Sequence, residues 1–280
     1  MSTCPTPASK YKAAIREFDA VLEHAKAISA TLVGFTVRER HHSFGEQIFV
    51  KLLAHCLSLR CLVPDPAGKA ERELWDLPSL CAIARCVIES YDAFEYIAKA
   101  NGDLQEIEFR IILWEAHAKT RCLRILDLIG SENPCTEVIR QDANVLLVQL
   151  QSHPAFSKLK KEDRKKLIAG DPPAFHLSQR ERCAQSGINF DFYTAVTMQL
   201  SQHVHTFPFA IQQLFQFRAG SPKALQLITL PISYSLLFLV LAIDGMKEIF
   251  PENSIEAPSR TKKSMALWRL MAKQGVKSAT

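Results

Sequence analysis

A run of about twenty residues without a formal charge, from Ala224 to Ile243, sets the strongest limit on what this chain can become. A segment so long and so apolar is either a bilayer span or a helix surrounded by protein. Gln226, Thr229, Ser233, Tyr234 and Ser235, with Pro231 among them, interrupt its hydrophobicity. We therefore read it as a central core helix, with membrane contact by 224–243 as the alternative. Gly is scarce, at 10 of 280 residues, which favours helices over strands. A hydrophobic fraction of 48% and a charged fraction of 22% belong to a globular chain rather than a disordered one. The expected fold is all-α, a multi-helix bundle of about eight to ten helices around an apolar C-terminal one.

Apolar periodicity and capping residues divide the chain. A loose Pro- and Thr-rich tail is expected over 1–9. A single helical bundle domain should cover 10–250, and a basic C-terminal helix or tail 251–280. Helices are predicted over 11–33, 44–62 and 78–100, with the charged segment 38–42 as a linker between the first two. Asp103 should cap a fourth helix that reaches Ile129 and is closed by Gly130. Further helices are predicted over 134–151, 158–169, 178–185, 190–206, 224–247 and 262–273. Asp171-Pro172-Pro173 is the clearest break and marks a candidate subdomain edge near 170–175.

The net charge of +5 arises from mixed signs and is weak support for nucleic-acid binding. Lys262, Lys263, Arg269, Lys273 and Lys277 form a basic C-terminal cluster that is read as solvated, with contact to nucleic acid or to an anionic membrane surface as the alternative. Eight cysteines lie mostly in apolar helical runs, without a Cys-x2-Cys pair or a preceding secretory signal. Cys56/Cys61 and Cys81/Cys86 are spaced so that each pair diverges by about 140° around a helix. Free thiols in a reducing, cytoplasmic setting are expected, with no metal site. No Gly-rich phosphate loop, Gly-x-Ser-x-Gly elbow or His-Glu-x-x-His motif occurs, so no cofactor is implied.

The third predicted helix is apolar nearly all round, yet Arg85, Glu89, Asp92 and Tyr96 fall within about 60° of one another on its wheel. Charges on a buried helix need partners, since isolated burial costs several kcal/mol. The helix over 190–206 offers Thr194, Ser201 and His205 on one side. The expectation is that Arg85, Glu89, Ser201 and His205 converge in one interior cluster. Such a cluster is either a network that fixes helix register or a site, with Arg85, Glu89 and His205 as the catalytic candidates and Asp92, Tyr96 and Ser201 as binding ones.

The segment from Leu80 to Asp92, with Arg85-x3-Glu89, and the pattern Tyr193…Leu200-Ser201-x3-His205 together resemble a bacterial all-helical family known only as a domain of unknown function. The resemblance spans roughly 40–245 and implies a helical fold with no established activity. Arg110 and His117, with six residues between them, resemble the Arg-x4–6-His motif of HEPN-type helical ribonucleases. That resemblance implies RNA as substrate, a site at a homodimer interface, and a toxin or phage-defence role. Ile111 departs from the polar residue usual there. The residues themselves place Arg110, His117, Arg121 and Arg124 on a stripe opposite Ile112, Ala116, Leu123 and Leu126, as on a solvated helix face. Three functions remain open at this point. The chain binds a small anionic ligand or a protein partner through the interior cluster, cleaves RNA, or serves as a non-catalytic scaffold.

Overall fold

The computed structural model describes residues 5–65, 75–99 and 103–275. Among them are eleven α-helices and no strands: α1 (Pro7–Ala30), α2 (Arg40–Leu62), α3 (Leu77–Ala98), α4 (Leu104–Leu128), α5 (Cys135–Ser152), α6 (Lys161–Ile168), α7 (Gln179–Ser186), α8 (Phe190–Val204), α9 (Pro208–Phe215), α10 (Pro222–Ile249) and α11 (Ser259–Gln274). The all-α expectation holds.

Several boundaries differ from the sequence reading, each for a local reason. The tail over 1–9 is shorter than expected, because Thr6 caps α1 by accepting from the Ser9 N–H at 3.2 Å and Pro7 fits the first turn. The linker over 38–42 is partly helical, since α2 begins at Arg40 and takes in both histidines. Helix α9 was not expected. At eight residues it is too short for apolar spacing to declare a period, and it starts on a proline. Helix α11 is no free tail. Met265 and Ala272 are buried, and Trp268 and Met271 pack on the main core.

Helix α10 is the centre predicted from its uncharged run. Leu236 to Val240 are all fully or nearly fully buried, against α1, α2 and α3. It is the one described helix long and apolar enough to cross a membrane, and 67% of its most apolar window is covered by protein. Pro231, inside α10, removes the donor that would face the Leu227 carbonyl. Glycines let α2 and α10 approach α3. A Cβ at Gly45 would lie 2.7 Å from Ala98 Cβ, and one at Gly245 would strike the Phe94 ring.

The hydrophobic contacts form two clusters. The large one gathers α1–α3, α7, α8, α10 and α11. The small one holds Phe109, Ile112, Leu113, Ala116, Leu150, Leu159 and Leu167, from α4 to α6. The chain leaves the small cluster after Leu167 and re-enters the large one at Cys183, so the Pro-rich break at 171–173 lies on the passage between them.

Candidate functional site

Polar side chains collect at the junction of the two clusters. Asp76 caps α3 by accepting from the Ser79 N–H at 3.0 Å. The helix then commits Leu80, Ala84, Val87, Ile88, Tyr91 and Phe94 to the main core. That phase turns Asp92 and Tyr96 toward α7, α8 and the segment 171–178.

Asp92 anchors one knot. The Tyr193 hydroxyl donates to its Oδ2 at 2.5 Å and Gln179 Nε2 donates to the same oxygen at 3.4 Å. Arg182 Nη2 stands 3.8 Å away. The Arg182 guanidinium lies over Phe175, 4.2 Å from the ring centre, and donates to the Leu177 carbonyl at 2.9 Å. Burial pushes the Asp92 carboxyl above its ordinary range, against the opposing pull of the Tyr193 bond and the Arg182 charge.

Tyr96 anchors the second knot. Its hydroxyl meets His176 Nδ1 at 2.7 Å, and His176 Nε2 meets Glu106 Oε1 at 3.2 Å. Arg110 donates three ways: from Nε to Glu106 at 2.7 Å, from Nη1 to the Tyr96 carbonyl at 2.8 Å and from Nη2 to Gln185 Oε1 at 3.3 Å. Its guanidinium also covers the Tyr96 ring at 4.7 Å. Burial would raise the Glu106 carboxyl, but the bonds from His176 and Arg110 outweigh it and hold the pKa at about 2. With Glu106 ionised, His176 Nε2 is placed to donate to it, and the Tyr96 hydroxyl faces Nδ1.

The residues expected to form the site part company here. Asp92, Tyr96 and Arg110 come together. Arg85 and Glu89 pair with each other at 2.8 Å on a flank where the Glu89 side chain is 58% exposed, so the interior cluster built on them does not form. Ser201 is half-buried and its carbonyl accepts from the His205 N–H. His205 is exposed, because α8 ends at Val204 and His205 is its C-cap, beyond the helical phase that would have turned it inward. His203 is buried instead, with Nε2 2.9 Å from Gln213 Oε1. Arg110 is 4% exposed, which corrects the solvated stripe, and His117 Nδ1 donates to the Pro172 carbonyl at 2.9 Å. Arg121 holds Asp171 at 2.8 Å. Arg110 and His117 thus share no open basic groove.

Sequence reasoning missed Glu106, His176, Gln179, Arg182 and Gln185. Glu106 and Arg110, one turn apart, were a legible pair. His176 lies in a segment without periodicity, which gave no sign of where its ring would point.

Two clefts open on the surface around the start of α4, one of them against the second knot. One of about 220 Å3 reaches the outer edge of Glu106 and His176 and is lined also by Asp103, Lys158, Lys160 and Glu181. Its carboxylates outnumber its ammonium groups, and Lys160 is already paired with Glu181 at 3.1 Å. The other, about 840 Å3, lies beside Arg38, Glu39, Arg40, His41 and Glu108, where the arginines and glutamates balance in number. Neither offers a surplus of positive charge to an anion. No trio of His, Cys, Asp or Glu among the described residues could hold a metal ion. No family model, curated protein or solved structure matches the chain.

Proposed function

We propose that this chain is a non-catalytic interaction bundle and that its polar interior is a clasp joining two hydrophobic cores. The observation that carries this reading is the burial of Asp92, Tyr96 and Arg110 and their bonding to other protein groups; among the knot side chains, Arg182 Nε is buried without a partner. Asp92, Tyr96 and Arg110 are each at most 9% exposed, and each nitrogen of the Arg110 guanidinium donates to a protein acceptor: Glu106, the Tyr96 carbonyl and Gln185. A ligand site would leave such groups facing a cavity. RNA cleavage through Arg110 would require the guanidinium to abandon all three acceptors and leave the interior.

A thermal-shift series with inorganic phosphate, nucleotides and small carboxylates tests this. A ligand present at a hundred times its Kd would stabilise the fold by about 2.7 kcal/mol. The clasp reading expects no shift. A rise in Tm of several degrees that disappears in Glu106→Gln or Tyr96→Phe would replace it with the ligand-site reading.

A further inference from the structure

We infer that α9 and the turn before it form a docking element for an anionic lipid surface. The inference deepens the interaction reading by naming the surface and its partner.

Every residue from Val204 to Phe209 is exposed. Phe207, Phe209 and Phe215 are 46%, 49% and 83% exposed, although α9 is among the most apolar segments of the chain. Ala210 is its one buried residue. Phe209 and Phe215 project about 120° apart around α9, on either side of the direction opposite Ala210. Large aromatic rings on a short outer helix are costly in water and suit the boundary between headgroups and acyl chains.

The backbone presents this element under strain. Thr206, between α8 and α9, has φ 55°, the single positive φ of a non-glycine among the described residues. A β-branched residue resists that region, and such strain persists only where the surroundings enforce it. The Phe207 N–H donates to the Gln202 carbonyl at 3.0 Å across this turn, α9 packs chiefly on α8, and the part-buried His203–Gln213 bond ties the two helices together.

Charge selects the partner. Between Asp191 and Asp244 the sequence contains no acidic residue. Arg218 and Lys223, just after α9, are exposed and have no ion-pair partner among the described residues. An apolar tip followed in the chain by two exposed, unpaired cations suits a negatively charged bilayer. A neutral protein groove would gain nothing from the missing acids. Helix α10, buried in the bundle, is not the membrane element.

The full-length protein is tested by co-sedimentation with phosphatidylcholine vesicles with and without 30% phosphatidylserine. Binding is expected to the anionic vesicles and to weaken with salt. Phe209→Ser with Phe215→Ser should lower affinity at least about tenfold. Arg218→Gln or Lys223→Gln should lower it about fivefold each. All four positions are exposed, and circular dichroism verifies the folding of each variant. Absence of binding, equal binding to both vesicle types, or phenylalanine variants that bind unchanged would overturn the inference. So would a dimer of the wild type that the same variants convert to monomer, since a second copy would then cover the rings. None of these outcomes bears on the thermal-shift test of the interior, so the two readings fail separately.

Discussion

Arg110→Met should destabilise the fold by about 3 kcal/mol, toward the lower end of what breaking a buried ion pair costs. Methionine keeps much of the packing volume of the arginine stem, so the loss isolates the guanidinium. Three acceptors lose a donor. The Tyr96 carbonyl, bonded within a buried contact, accounts for about 1–3 kcal/mol when stripped of its charged donor. Glu106 loses one charged partner but keeps His176 and some water, because its side chain is 29% exposed, which moderates its share. Gln185 adds a smaller amount across its longer bond. Urea unfolding followed by circular dichroism should show a midpoint lowered by roughly 1 M. The transition should also broaden or split, because the knot joins α4 to the main cluster. Arg124→Met, at an exposed position of the same helix, is the control and should stay within about 0.5 kcal/mol of wild type. A loss below about 1 kcal/mol in Arg110→Met would refute the view that this side chain holds the two cores together.

Two further outcomes follow from the same contacts. Glu106 has a folded pKa of about 2, below its ordinary value of 4.5, so its stabilising contribution is present above pH 4.5 and is lost as pH falls toward 2. Glu106→Gln should flatten that part of the stability–pH curve measured by denaturant titration, and an unchanged acid limb would count against the bond pattern. Gly45→Ala should cost about 1–3 kcal/mol by overpacking, because the new Cβ meets Ala98 Cβ, which is fixed to its own backbone, at 2.7 Å. Equal thermal stability of that variant and wild type would show that α2 and α3 have room to separate.

The sequence made the helices legible where caps and apolar spacing agreed. Asp103 accepts from the Gln105 N–H at the start of α4, and Asn189 accepts from the Phe192 N–H at the start of α8. The polar half-turns at Asp92 and Tyr96 were legible for the same reason, since a helix otherwise committed to the core had to find them partners. The partners were not. The helical phase of α8 stops at Val204, so extending the wheel by one residue put His205 inside and overlooked His203. Helix α4 misled in the opposite sense. Its stripe of Arg110, His117, Arg121 and Arg124 looks solvated on a wheel, and only Arg124 is fully so. The segment 171–178 crosses the others, with Asp171 on Arg121, the Pro172 carbonyl on His117 and His176 bridging Tyr96 and Glu106. A Pro-rich stretch without periodicity announces a break in the chain but not the surface it will cover.

Hydrogen–deuterium exchange over 172–186 tests the clasp most directly, comparing wild type with Tyr96→Phe, which removes one hydroxyl and its bond to His176. A sealed clasp predicts slow exchange of this segment in the wild type. It predicts markedly faster exchange there in the variant, with α1, α2 and α10 unchanged. Rapid exchange of 172–186 already in the wild type would contradict it, because a segment that opens freely leaves Arg110, Glu106 and His176 accessible and restores the case for a working site.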